Sequence, residues 1–227
     1  MYKRQVTDNG VPALSRTNTF LIIVGDYLEL IVGRTVMQAG QTSSVPISVE
    51  TSTSVTNVTF AVDLPSARLT NATLQALLPG VTATLQPAGT DRVQLLLRAA
   101  TALPSGQPLA SLGFVAPSNQ PSAIIPLLVS NAQALQASGV VVPRVFAQDG
   151  RVVIVGAAPS LEATIATNGQ RMLMLYGRPG VTYDVESTPS LNPVVLWTQH
   201  WRGGVTNLVQ PITPETNQMR FYRARRP

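Results

Sequence analysis

The residues that could do nucleophilic or metal chemistry are few in this 227-residue chain. His200 is the only histidine and there is no cysteine, so a nucleophilic centre would need His200 beside a serine and a carboxylate. No Gly-x-Ser-x-Gly turn precedes it, and a zinc site takes three or four protein ligands. We therefore interpret His200 as an edge position on the strand that carries Trp197.

One pair of carboxylates has a spacing that could serve acid–base catalysis. Asp184 and Glu186 are two residues apart, which places them on one face of a strand, opposite Tyr183 and Val185. Strand alternation alone accounts for that spacing, so we expect a solvent-facing stripe. The sequence predicts that the chain is not an enzyme and has no activity on glycans, esters or peptides.

Trp197 and Trp201, the only tryptophans, are the candidate ligand-binding residues. Four residues apart on a strand, they would share a face, where two rings could form a platform for sugars. The alternative is that Trp197 lies in the core and Trp201 at the strand end, because large aromatic side chains usually serve packing. Since residues 27–156 contain no tryptophan, we expect any polysaccharide binding in the C-terminal part.

Composition excludes several other functions. Charged residues make up 12% of the chain, against about 25% in an average soluble protein. No apolar run approaches the roughly 18 residues of a membrane span, and no phosphate-binding loop or EF-hand loop is present. The arginines at positions 220, 223, 225 and 226 are interpreted as a solvated chain end, not as a nucleic-acid site. No cofactor is implied, and the oligomeric state is left open.

Alternation of apolar residues with a period of two predicts an all-β chain. It is clearest in 44–50 and 57–64, where every second residue is apolar. Further strands are predicted at 81–85, 93–98, 109–115, 123–129, 140–147, 151–155, 161–167, 171–176, 181–187, 194–201 and 218–224. Glycine- and proline-rich turns separate most of them. Only 69–78 has leucines at a spacing that could also suit a helical turn.

The order of the segments in 27–156 resembles a cohesin-type module. "AGQTSSVPISVE" (39–50) is similar to the opening Val-Pro-Ile strand of that family, and "VTNVTFAVDLP" (55–65) to its next strand. "GQPLASLGFVAP" (106–117) and "FAQDGRVVIVG" (146–156) resemble two later strands. The resemblance implies a nine-stranded jelly-roll sandwich that binds or spaces other proteins. The chain departs from the family pattern at the end of the second segment. Leu64-Pro65 follows Asp63 there, and no tyrosine precedes Asp63.

The first 26 residues resemble two unrelated pieces. "MYKRQ" (1–5) looks like a translated sequencing-adapter scar, so we interpret the N-terminus as an arbitrary break in a longer protein. Residues 6–26 resemble the final hairpin of a truncated cadherin-like or Ig-like repeat. That resemblance implies a calcium site, for which Asp8 and Asp26 are the candidate ligands. The alternative for Asp8 is ordinary turn chemistry.

The C-terminal part is predicted to be a second unit. "AAPS" (157–160) is interpreted as a linker, and 161–227 resembles the small β-sandwich module that ends many large secreted bacterial proteins. The fold class is thus all-β, a cohesin-like jelly-roll sandwich plus a smaller sandwich.

Three functions remain open. The first is a non-catalytic extracellular binding or scaffolding fragment of a secreted or surface protein, acting through protein–protein contact at a sheet face. The second is a carbohydrate-binding accessory region of a polysaccharide-degrading enzyme. The third is a structural spacer in an adhesin. The partner is therefore a protein or a polysaccharide; a polar–apolar patch on a sheet would favour the first function, and exposed coplanar aromatic rings the second.

Overall fold

The structure, a computed structural model, describes residues 2–7, 15–20, 25–192, 195–215 and 220–227. Every element in those residues is a β-strand, so the predicted all-β fold is confirmed. Within the described ranges, no helix has the length and apolarity needed to cross a membrane.

In the described residues, twenty strands form three groups along the chain. An N-terminal hairpin pairs β1 (Tyr2–Thr7) with β2 (Ser15–Phe20). The first sandwich contains β3 (Tyr27–Val32), β4 (Arg34–Gln38), β5 (Thr42–Thr51), β6 (Val55–Asp63), β7 (Thr70–Ala76), β8 (Val81–Pro87), β9 (Arg92–Ala99), β10 (Pro108–Val115), β11 (Ala123–Leu127), β12 (Val129–Gln136), β13 (Arg144–Gln148) and β14 (Gly150–Val155). The second sandwich contains β15 (Ser160–Ile165), β16 (Arg171–Tyr176), β17 (Thr182–Thr188), β18 (Thr198–Gly204), β19 (Val209–Ile212) and β20 (Phe221–Arg225).

Alternation along the strands builds the core of the first sandwich. Every second residue of β5 and of β6 points inward, and Val45, Ile47 and Phe60 are completely buried. They pack between a five-stranded sheet in the order β13-β3-β5-β10-β7 and a four-stranded sheet in the order β12-β6-β9-β8. The outward residues of both sheets are left to solvent or to a partner.

A third sheet, β11-β14-β4, closes the first sandwich. The chain passes from one sheet to the next at single glycines: Gly33 separates β3 from β4, and Gly150 begins β14 directly after Asp149. A Cβ on Gly150 would lie 2.7 Å from the Gly33 carbonyl oxygen. The two backbones therefore cross where only glycine fits.

The helical alternative for 69–78 is wrong. The segment forms β7, at the edge of the five-stranded sheet, and its register with β10 pairs Leu74 with Leu112. Leu69 is buried in the core and Leu77 is exposed. Leu74 thus lies on the strand, and Leu69 and Leu77 lie at its two ends. The pairing with β10 overrides the weak local preference for a helix.

The second sandwich packs two three-stranded sheets, β15-β16-β19 and β18-β17-β20. Its core contains Leu173, Leu175, Tyr183 and Val185, with Trp201 packed against them. Strand β18 begins at Thr198, later than the predicted 194–201 strand.

The two sandwich cores are separate clusters, and a third apolar cluster joins them. Val153 and Val155, on the face of β14 turned away from the first core, are buried against Tyr176 of β16. Arg178 donates through Nε to the Gly156 carbonyl at 2.8 Å. The segment 157–160 is thus short and flanked by contacts, while the division of the chain into independent domains stays a prediction.

Candidate functional site

The outer face of the β12-β6-β9-β8 sheet is a flat array of small, polar and aliphatic side chains. Antiparallel register aligns them in three rows that cross all four strands. The rows are Thr82, Arg98, Asn57 and Leu135; Thr84, Leu96, Thr59 and Gln133; and Gln86, Gln94, Ala61 and Ser130. We call this array the docking face. Strand alternation in 57–63 already assigned three of its positions outward, Asn57, Thr59 and Ala61, but the pairing of distant strands was needed to assemble it.

Aliphatic side chains lie at the middle and at one edge of the docking face. Leu96 is half-buried at the centre. At the edge, Leu135 forms an isolated bridge with Val141, whose side chain is 60% exposed. The face therefore offers a polar–apolar patch, without an aromatic ring at any of its positions.

The docking face carries little charge of its own. Asp63 accepts a hydrogen bond from Arg92 Nε at 2.8 Å, and this bond raises the pKa of the Arg92 guanidinium. Arg98 is exposed at the opposite end of the sheet, in the row of Asn57. A partner that faces this sheet would thus meet one guanidinium at Arg98, among neutral groups.

Two polar atoms of the docking face lack partners inside the protein. Asn57 Oδ1 and Ser130 Oγ are buried and form no hydrogen bond. Buried polar atoms are nearly always paired, so these two atoms are exceptions, and their burial keeps them from a partner docked on the face.

The structure brings His200 together with a serine and a carboxylate, but in the wrong order for nucleophilic catalysis. Ser187 Oγ donates to Glu215 Oε1 at 3.1 Å, and His200 Nδ1 lies 3.4 Å from the same oxygen. His200 Nε2 faces the Thr213 carbonyl oxygen at 2.8 Å. A triad needs the histidine to take the serine proton, and here both ring nitrogens face oxygens of other residues.

Asp184 and Glu186 lie on one face of β17, opposite Tyr183 and Val185, as predicted, but that face is not solvated. Their exposures are 4% and 6%. Three guanidiniums cover them, from Arg202, Arg223 and Arg225; Arg223 and Arg225 each approach a Glu186 oxygen at 2.7–2.8 Å. The stripe is buried because charged groups on the two neighbouring strands neutralise it.

The same ion pairs correct the interpretation of the C-terminal arginines as a solvated end. Arg223 and Arg225 contact Glu186, and Arg220 contacts Glu215. The pairing requires β20 to lie beside β17, a long-range register that the sequence of the chain end does not reveal.

Trp197 and Trp201 lie on opposite faces of the β18-β17-β20 sheet. The register of β17 with β18 shifts between Val185 and Glu186, which leaves an extra residue, His200, in β18. Trp201 consequently packs into the core. Trp197, before the strand, stacks on the Arg223 guanidinium, 4.3 Å from ring centroid to Cζ. The bulge therefore separates the two rings, and they form no shared platform.

The candidate calcium ligands are not brought together in the described residues. Asp8 falls outside them. Asp26 is exposed and its Oδ2 accepts a hydrogen bond from Gln136 Nε2 at 2.7 Å, which ties the start of the first sandwich to β12. Across the described part of the chain, no group of three or more histidine, aspartate or glutamate side chains is placed to hold a metal ion.

A cavity of about 620 Å³ opens at one end of the second sandwich. Ile165, Met172 and Leu173 form its apolar wall, and Tyr222 lies opposite. Arg220 and Glu215, which also line it, are engaged with each other. No sequence pattern had indicated this cavity.

The comparisons with known proteins concern the fold. No protein-family model matches the sequence, and no curated protein matches it. The solution structure of CaCohA2 from Clostridium acetobutylicum aligns with a TM-score of 0.52 at 16% identity, over 59% of this chain and 94% of that one. Two type I cohesin–dockerin complexes from Clostridium thermocellum, of OlpC and OlpA, align with TM-scores of 0.50, at 12% and 14% identity. They cover 60% and 56% of this chain and 98% and 99% of theirs. At these identities the likeness concerns the backbone arrangement, and on it the chain contains a sandwich of the cohesin jelly-roll fold.

Proposed function

We propose that the chain is a non-catalytic binding piece of a larger secreted or surface scaffolding protein, and that its first sandwich holds a protein partner on the docking face. The observation that carries this proposal is the mixed character of that face. Leu96 and Leu135 lie among neutral amides and hydroxyls, in rows fixed by four paired strands.

The size of the docking face suits a small protein interface. Its strands contain seven to nine residues, which at about 3.3 Å per residue and about 4.8 Å between strands gives a surface on the order of 20 Å by 25 Å. That is comparable with one partner's share of an interface at the low end of the known range. A rigid sheet also loses little entropy when a partner docks.

The charge and the apolar centre of the face indicate what the partner brings. A carboxylate facing Arg98 would neutralise the exposed guanidinium, and an aliphatic side chain would cover Leu96. Two of the structural neighbours are complexes with dockerins, so dockerin-type domains are the first class of partner to test.

The test measures binding of the whole chain to a panel of dockerin-type domains by isothermal titration calorimetry. Leu96→Arg should abolish binding to any domain that the unaltered chain binds, because it places a buried charge at the centre of the interface. Ile31→Arg, a half-buried aliphatic position on the outer face of the five-stranded sheet, is the matched control and should bind normally. Loss of binding in the Ile31 variant with retention in the Leu96 variant would assign the partner to the other sheet. Binding to no member of the panel would contradict a dockerin-type partner.

A structural spacer is a second candidate, favoured by the junction between the sandwiches. Val153, Val155 and Tyr176 form an apolar cluster there, which would keep two modules in fixed orientation. Small-angle scattering that requires a broad ensemble of orientations for 27–156 and 161–227 would argue against the spacer.

A further inference from the structure

We propose that the outer face of the β18-β17-β20 sheet binds an acidic polysaccharide, whose carboxylates are held by the guanidiniums of Arg202 and Arg225. This goes beyond the proposed function, because the site lies on the second sandwich and does not involve the docking face.

The guanidiniums of this face lie over two buried carboxylates. Asp184 and Glu186 are buried beneath them, and each carboxylate lies between strands that supply arginines. Arg202 Nε is 3.6 Å from Asp184 Oδ1 on one side, and Arg225 is 3.8 Å from Asp184 Oδ2 on the other. Arginine has five donors in a planar fork, so these contacts leave donors of both side chains free toward solvent.

The exposure of the two arginines agrees with this arrangement. Their side chains are 53% and 55% exposed, whereas both carboxylates are at most 8% exposed. A ligand that approaches the sheet therefore meets cationic groups first. A guanidinium accommodates a carboxylate in two parallel hydrogen bonds. Arg225 is already held by Glu186 at 2.8 Å, which lowers the entropy cost of ordering it on binding.

The charge balance of the second sandwich also favours an anionic ligand. Residues 157–227 contain seven arginines and four carboxylates. Each of the four carboxylates lies within 3.8 Å of a guanidinium nitrogen. The acidic groups are thus internally compensated, and the excess charge on the surface is positive.

The shape of the face favours a flat, repeating anion over a single small one. Arg202 and Arg225 lie on strands that flank β17 on both sides, so their backbones are separated by about 10 Å, two strand spacings. A polymer with a carboxylate on successive sugars can engage both guanidiniums at once. At one end of the face, Arg223 Cζ lies over the Trp197 ring, 4.3 Å from its centroid, and the aromatic ring adds a planar surface suited to a sugar ring.

The test is affinity electrophoresis of the full chain through gels that contain polygalacturonate, with its fully methyl-esterified form and a neutral glucan as parallel arms. We expect retardation by polygalacturonate only, and loss of that retardation at high ionic strength, because exposed charges are screened. Arg202→Ala with Arg225→Ala should weaken binding by at least about tenfold, since each lost charge-assisted hydrogen bond corresponds to roughly that factor. Arg144→Ala with Arg171→Ala removes the same charge from two exposed positions elsewhere and should bind like the unaltered chain.

A safeguard against misfolding is needed, because the first double variant leaves Asp184 without a partner. Arg202→Ala with Arg226→Ala keeps Arg225 over both carboxylates, and it should also reduce retardation while the melting temperature stays unchanged. Equal weakening in the Arg144 and Arg171 variant would overturn the proposal, because binding would then follow net charge. Equal retardation by the esterified polymer, or binding to anionic lipid vesicles without binding to polygalacturonate, would overturn it as well.

Discussion

Arg151 of the first sandwich forms an ion pair with Glu162 of the second, and this pair spans the junction between them. Tyr176 completes the contact: its hydroxyl donates to Glu162 Oε2 at 2.7 Å and lies 3.3 Å from Arg151 Nη2. All three groups are partly buried beside the apolar cluster of Val153 and Val155. The two sandwiches are therefore joined by a small core with a polar rim.

The junction should weaken at alkaline pH. Burial, and next the hydrogen bond to Glu162, raises the pKa of Tyr176 to about 12 from its usual value of 10.0. Folding thus favours the neutral phenol: its contribution to the free energy of unfolding is complete below about pH 10 and is lost as the pH rises toward about 12. Urea unfolding measured between about pH 10 and pH 12 should show that the free energy of unfolding falls less for Tyr176→Phe than for the unaltered chain. Tyr27→Phe, at a half-buried position far from the junction in sequence, is the control; an equal loss in the Tyr176 variant would contradict the assignment.

Gly156 should not tolerate a side chain. A Cβ there would lie 2.6 Å from both the Gln120 carbonyl oxygen and the Ser122 nitrogen, which are backbone atoms that cannot rotate away. Gly156→Ala should lower the free energy of unfolding by about 1–3 kcal/mol, as measured by chemical denaturation. Gly204→Ala, where a Cβ would meet nothing within 4 Å, should change it by about 0.5 kcal/mol or less. An unchanged free energy of unfolding in Gly156→Ala would contradict this prediction. It would show that the backbone of residues 120–122 moves to accommodate the methyl group.

Ser187 should be unreactive although it lies near the only histidine. Its hydroxyl donates to Glu215, so His200 is not placed to take its proton, and the side chain is completely buried. A fluorophosphonate probe should therefore leave the native chain unlabelled, and Ser187→Ala should give the same trace by mass spectrometry. Labelling that disappears in Ser187→Ala would reveal a nucleophile.

Deletion of residues 1–25 should leave the melting temperature of the remaining chain within a few degrees. β1 pairs with β2, and a lone hairpin buries too little apolar surface to offset an ordering cost of about 1–2 kcal/mol per residue. The measurement is a thermal scan followed by circular dichroism. Unfolding of the first sandwich on deletion would mean that part of 1–25 is an integral strand.

The fold class and the inward faces of β5 and β6 follow from the sequence alone. Alternation in 44–50 and 57–64 is sufficient for both, because a side-chain period of two requires only local information. The resemblance of 27–156 to a cohesin-type module also rested on the order of local segments, and the comparisons support it for the fold.

Which side chains come into contact follows from the pairing of strands that are distant in sequence. Asp184 and Glu186 were expected in solvent and are buried, because β18 and β20, distant in sequence, bring arginines to both sides of β17. Spacing alone put the two tryptophans on one face, and the alternative put Trp197 in the core. Trp201 packs into the core instead and Trp197 lies on the other face, because a single extra residue at His200 reverses the alternation. The docking face likewise depends on register among four strands between residues 55 and 136. Strand pairing is a long-range choice, set by how whole sheets bury their apolar faces, and no local pattern contains it.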